Sequence, residues 1–208
     1  MPLAHASQQG QVTGSSMRIA FIGDSLVNGT GDEEMLGWVG RVCASAAARG
    51  HDVTCYNLGV RRERSVDIAA RWRHEVASRL PAEHDGRVVF SFGTNDAMRV
   101  PGPAPAAETL AALAMMLRHR DERPMLFVGP QPVADPALNQ RIMLIDAALT
   151  SACAAAGVPC LSVFARLVID PVWMSAVAAG DGAHPRADGY RRLAQMVDGW
   201  EAWRRWLP

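Results

Sequence analysis

The sequence lacks several things, and each absence narrows what it can be. No apolar stretch approaches the ~20 residues needed to span a bilayer, so an integral membrane association is not expected. There is no excess charge of either sign: 21 basic residues balance 21 acidic ones, which leaves no net field to attract nucleic acid or an anionic surface. The four cysteines, Cys43, Cys55, Cys153 and Cys160, form no C-x-x-C pair, which argues against a zinc or redox motif and for reduced, mostly buried thiols. No G-x-G-x-x-G or G-x-x-x-x-G-K-[ST] loop is present, so dinucleotide and P-loop chemistry are not expected. Residues 1–16 lack the apolar core of a secretory signal, which makes the cytoplasm the expected location. They read as a flexible polar extension or a tag remnant ahead of a single domain over 17–208.

What is present is an alternation of short apolar runs and helical spacings. Met17 to Ile22, Val53 to Leu58, Val88 to Phe92, Met125 to Val128 and Pro159 to Val163 read as five strands. Helices are predicted from Ser65, which can cap its own first turn, and over 37–49, 106–120, 138–156 and 187–203, with Gly50 and Gly157 as C-terminal stops. Strands nearly continuous in Val, Ile, Leu and Phe are buried on both faces, which predicts an α/β fold: a five-stranded parallel sheet in a three-layer α/β/α sandwich. The Pro101–Pro105 stretch reads as a stiff loop.

In such sheets ligands bind beyond the carboxyl ends of the strands. Three of those ends carry Gly23-Asp24-Ser25-Leu26, Asn57-Leu58-Gly59 and Gly93-Thr94-Asn95-Asp96, and a later segment reads Asp181-Gly182-Ala183-His184-Pro185. A serine hydroxyl becomes nucleophilic when an imidazole positioned by a carboxylate takes its proton. The three-residue spacing of Asp181 and His184 suits that pairing, with the second ring nitrogen facing Ser25. The oxyanion formed on an acyl carbonyl needs donors, and the N–H groups of Ser25 and Gly59 and the amide of Asn95 are candidates. Asp24 and Asp96 read as turn and cap residues in support.

These four segments, in this order, resemble the signature blocks of the SGNH/GDSL hydrolase family. The resemblance spans residues 19–190 and implies a flavodoxin-like fold, a Ser25–His184–Asp181 triad and an oxyanion hole from Ser25, Gly59 and Asn95. It further implies an acyl-serine route through esters, thioesters or lysophospholipids with neither metal nor cofactor. The G-x-S-x-G elbow of the α/β-hydrolases is absent. One departure is the turn after Gly59. Many relatives carry small residues there, whereas this chain has Arg61, Arg62, Glu63 and Arg64, able to bind a carboxylate or phosphate or simply to form a solvated loop.

An acyl pocket is expected from loop residues, with Leu26, Met98, Trp173 and Met174 as substrate-binding candidates alongside Arg61, and Met98 and Met174 the more adaptable of them. Met35 and Val133 are weaker candidates, and Trp38 reads as core. Trp200, Trp203 and Trp206 at three-residue spacing read as a stripe docked on the chain's own core. The expected partner is a small acyl ester or thioester, and nothing in the sequence specifies an oligomeric state. Two alternatives remain at this stage: acyl transfer from the same site, and a non-catalytic module binding a small ligand at the same strand ends.

Overall fold

The computed structural model describes residues 16–98 and 105–207. All of the polar leader but Ser16, and most of the Pro101–Pro105 stretch, lie outside that range. The strands are β1 (Met17–Gly23), β2 (Val53–Gly59), β3 (Asp85–Ser91), β4 (Met125–Val128) and β5 (Cys160–Leu161). They form one parallel sheet in the order β2-β1-β3-β4-β5. Strand order therefore reverses beside β1, and the crevice at that switch point is where such sheets bind ligands.

Alternation along β1 explains both cores. Ile19 and Phe21 point to one face, Ala20 and Ile22 to the other, and all four are sealed from solvent. The first face is covered by α2 (Gly37–Ala48), α8 (Pro171–Ala178), α9 (Ala187–Asp198) and α10 (Glu201–Trp206), which contribute Trp38, Val42, Trp173, Leu193 and Trp203. The second is covered by α3 (Ser65–Ala77), α5 (Pro105–Leu117) and α6 (Pro136–Ala155), which contribute Ile68, Leu113, Ile145 and Leu149. The expected three-layer sandwich is the one observed. Among the described residues no helix is long and apolar enough to cross a membrane.

Several boundaries differ from the sequence reading. Strand β3 starts at Asp85 because its polar opening is paired: Arg87 Nη2 bonds Asp85 Oδ2 at 2.7 Å while Nη1 donates to Trp206 O at 2.8 Å. The final helix is two helices, since α9 stops at Gly199 and Trp200 begins α10 with extended dihedrals. Trp203 is nonetheless fully buried against Phe21, and Trp200 and Trp206 pack on the same core, so the stripe docks as expected. Short helices α1 (Ser25–Asn28), which Asp24 caps as read, α4 (Thr94–Met98) and α7 (Phe164–Leu167), and the longer α8, have no range in the sequence reading. All four cysteines are free, but only Cys153 is fully buried. Two pairs of thiols lie side by side, Cys43 with Cys55 and Cys153 with Cys160.

Candidate active site

Strand β1 ends at Gly23, and the chain turns at once into α1. Asp24 is the N-cap: its Oδ1 accepts the Leu26 N–H at 2.9 Å, satisfying one of the helix's orphan donors. Ser25 is the first helical residue, so its own N–H has no intrahelical acceptor and its side chain stands at the carboxyl edge of the sheet. The turn is that tight because Gly23 has no side chain, as a Cβ there would sit 2.0 Å from Ser91 O.

His184 arrives from the loop between α8 and α9. Its Nε2 lies 2.7 Å from Ser25 Oγ, and its Nδ1 lies 2.7 Å from Asp181 Oδ2. A carboxylate can only accept, so Nδ1 carries the proton and Nε2 is left to accept from the serine hydroxyl. The other carboxylate oxygen, Asp181 Oδ1, accepts from the N–H groups of Ala183 at 3.0 Å and His184 at 2.8 Å. Partial burial would raise the Asp181 pKa, but the His184 ring and these two N–H groups outweigh it and hold the carboxyl at about 2. The carboxylate is therefore ionised at any working pH. The three residues Ser25, His184 and Asp181 stand together as the spacing predicts.

The oxyanion candidates are less free than expected. Asn95, in α4, donates one Nδ2 hydrogen to Glu63 O at 2.8 Å, which leaves its second hydrogen available. The Gly59 N–H, expected to be exposed, donates to Asn57 Oδ1 at 3.1 Å. What glycine provides at this position is close approach: a Cβ would stand 2.2 Å from Asn28 N and 2.7 Å from Asp24 O, so any side chain would push α1 off β2.

Beneath the site lies a network that the sequence reading missed. Arg71, within α3, donates through Nη2 to Leu58 O at 2.8 Å and Gly23 O at 3.1 Å, and its Nε bonds Glu63 Oε2 at 2.7 Å. One guanidinium thus ties the ends of β1 and β2 to the residue whose carbonyl holds Asn95. Asp96 accepts from Ser65 N, Ser65 Oγ and Thr109 Oγ, so Ser65 is tied to Asp96 rather than capping its own helix. The first turn of α3 is closed by Asp67, which accepts from Arg64 N at 2.9 Å. Asp24 is buried beside Asp96 and Glu63, and its burial first, then those two carboxyl groups, push its pKa up to about 7.

Two substrate-binding candidates are displaced from the site. Trp173 is fully buried in α8, donating Nε1 to Pro132 O at 3.0 Å, and Leu26 packs inward from α1 into the same core. Val133 is likewise core. Met174 is half-buried against that core, whereas Met98, at the end of α4, is 39% exposed and Met35 88%. Arg61 is exposed, in the turn after Gly59. Among the described residues no group of three or more His, Cys, Asp or Glu is gathered in a way that could hold a metal.

With that geometry in hand, comparison with known proteins is decisive for the family. The model of the GDSL-like lipase/acylhydrolase family matches residues 21–192. The chain belongs to this family. Solved structures share the fold of this acylhydrolase-family chain at low identity. A lipase/acylhydrolase from Enterococcus faecalis is 22% identical with a TM-score of 0.68, covering 88% of this chain and 93% of its own. An acetylxylan esterase from Geobacillus stearothermophilus is 19% identical with a TM-score of 0.73, covering 90% and 96%. A lipolytic protein of the G-D-S-L family from Desulfitobacterium hafniense is 18% identical with a TM-score of 0.70, covering 88% and 98%. No curated protein sequence matches the chain.

Proposed function

We propose that the chain hydrolyses small carboxylic esters or thioesters through an acyl-serine intermediate, with Ser25 as nucleophile, His184 as base and Asp181 as its orienting carboxylate. The observation that carries this reading is the unbroken line of 2.7 Å contacts from Ser25 Oγ through both nitrogens of His184 to Asp181 Oδ2. His184 Nε2 takes the hydroxyl proton as Oγ forms a bond to the acyl carbon, and the carbonyl π electrons move onto oxygen. That oxyanion is received by the Ser25 N–H, the free Nδ2 hydrogen of Asn95 and the Gly59 N–H, which leaves Asn57 Oδ1 to do so. On collapse the imidazolium gives its proton to the departing alkoxide or thiolate, and a water molecule repeats the sequence to release the acid. Asp181 stays ionised throughout and stabilises the imidazolium.

The test is hydrolysis of a p-nitrophenyl ester series from acetate to long acyl chains, native protein against Ser25→Ala. The variant is expected to lose about 10⁴-fold or more in kcat. Equal turnover by both proteins would remove Ser25 from the chemistry. Release of an acylated acceptor in place of free acid, when alcohols or sugars are added, would redirect the same intermediate to acyl transfer.

A further inference from the structure

The turn between β2 and α3 has an unusual composition for its shape. Glu63 N donates to Val60 O at 3.4 Å, which closes a four-residue turn with Arg61 and Arg62 at its centre. Arg62 has φ +70°, the left-handed conformation that this turn position ordinarily reserves for glycine or asparagine. Both ends of the turn are anchored to the oxyanion donors: it leaves Gly59 at the tip of β2 and ends at Glu63, whose carbonyl holds the Asn95 amide. Two virtual Cα–Cα bonds place Arg61 within about 7 Å of Gly59.

The charges in this segment are unequally used. Glu63 is taken by Arg71, and Arg64 by Glu108 at 3.3 Å. Arg61 and Arg62 are exposed, and among the described residues neither has an acidic partner. Residues 1–15, 99–104 and 208 contain no Asp or Glu side chain that could supply one. Two guanidinium groups are therefore held without an acidic partner beside the carbonyl-binding end of the site, one of them, that of Arg62, on a backbone conformation that disfavours a side chain.

We infer that Arg61 and Arg62 form an anion-recognition pair beside the oxyanion hole, so that the substrate is an ester bearing a carboxylate or phosphate within an arginine's reach of its scissile carbonyl. This rests on the esterase reading above and names its substrate class. Guanidinium groups bind either anion through paired, charge-assisted hydrogen bonds.

Three matched comparisons separate the possible sources of charge. For a carboxylate on the leaving group, 4-acetoxybenzoate is set against 4-acetoxybenzamide; for a phosphate there, 4-acetoxyphenyl phosphate against the same amide. For a carboxylate on the acyl part, the mono-4-nitrophenyl ester of adipic acid is set against the corresponding monoamide ester. In at least one comparison the native protein is expected to favour the anion by about tenfold or more in kcat/KM, chiefly through KM and less so at high salt. The double variant Arg61→Gln, Arg62→Gly should bring that ratio close to one, and glycine suits the turn, so the fold should be retained. A native ratio near one in all three comparisons, or a ratio the double variant does not change, would overturn the pair. Hydrolysis of the neutral esters that depends on Ser25 would meanwhile leave the esterase reading standing. If the native protein turned over none of these esters, that reading would fail, and calorimetric titration of Ser25→Ala would decide the pair separately. Binding of the anionic compounds ahead of the amides supports it, and equal or absent binding of both overturns it.

Discussion

Two loops flank the Ser25–His184–Asp181 cluster, and each contains one of the two non-glycine residues with positive φ among the described residues, Met35 at +57° and Arg62 at +70°. They hold that conformation by different means. In the loop over 29–36, Asp32 is buried and accepts from the N–H groups of Glu34, Leu36 and Gly37 at 3.0, 3.2 and 2.7 Å as well as from Arg41. Glu33 caps α9 through Ala187 N at 3.0 Å, and Tyr190 Oη donates to Thr30 O at 2.7 Å. Glu34 pairs with Arg41 and Arg191. Every acidic group of this loop is thus engaged by the loop itself, by Arg41 of α2 or by α9, and Gly31 lets the loop pass where a Cβ would lie 3.1 Å from His184 Cβ. The turn over 60–63 is fastened at its two ends, by Val60 N donating to Gly23 O at 3.0 Å and through Glu63, and leaves the two arginines between them exposed. A strained residue saturated by its own loop serves structure, whereas one carrying free charge beside the reacting carbonyl points to recognition.

The largest expected separation of the two loops comes from Asn95→Ala. It removes the amide that links the turn at Glu63 to the oxyanion and should lower kcat by about 10²–10³ with little change in KM for neutral esters. An effect confined to KM would mean that Asn95 positions the turn without meeting the developing charge. The 29–36 loop contains none of the proposed oxyanion donors, so its variants should act through stability and through the placement of His184.

A smaller effect contrasts two buried carboxyl groups. Asp24 has its pKa raised to about 7 in the folded protein by burial and by the nearby Asp96 and Glu63. Its contribution is fully present below the unfolded pKa and is lost as pH rises through about 7, on the order of 2–4 kcal/mol. Asp32 runs the other way. Burial would raise its pKa, but Arg41 and the loop N–H groups hold it below the ordinary value, so its contribution is present above that value and is lost as pH falls through the lowered one. Urea unfolding from pH 3 to 9 should therefore show Asp24→Asn gaining on the native protein at alkaline pH and Asp32→Asn losing at neutral pH. Parallel curves for Asp24→Asn and native protein would mean that Asp24 ionises freely at its cap.

How much of this was legible in the sequence follows from what each feature depends on. The grouping of Ser25, His184 and Asp181 was legible because Asp181 and His184 lie on one short segment and Ser25 closely follows an apolar strand, so local pattern nearly determines their geometry. The misplaced pocket residues depended on a helix that was not recognised. Asp170 caps α8 by accepting from Val172 N and Trp173 N, and eight helical residues then turn Trp173 into the core, whereas a loop would have left it near the site. Arg71 gave no local signal at all, since an arginine within a helix ordinarily reads as part of a solvated face. Its role arises from the carbonyls of Gly23 and Leu58, which become neighbours only when β1 and β2 pair. The occupied Gly59 N–H was equally unreadable, because it depends on which way the Asn57 side chain turns.

The smallest expected effect sharpens the comparison most, because it treats the two strained residues identically. A left-handed conformation costs a side chain about 1–2 kcal/mol, and glycine at such a position returns part of that as unfolded-state entropy, leaving a net gain of about 0.5–1 kcal/mol. Met35→Gly and Arg62→Gly should each stabilise the protein by that amount in chemical denaturation. If both residues were structural, the two variants would be indistinguishable by every other measure. Met35 is 88% exposed and contributes no charge, so Met35→Gly should keep the native ratio between charged and neutral esters. Arg62→Gly should gain the same stability and lose part of that ratio, a trade expected where strain is retained for a group that acts on substrate. Matching stability gains with matching ester ratios would instead make Arg62, like Met35, a tolerated residue in a solvated turn.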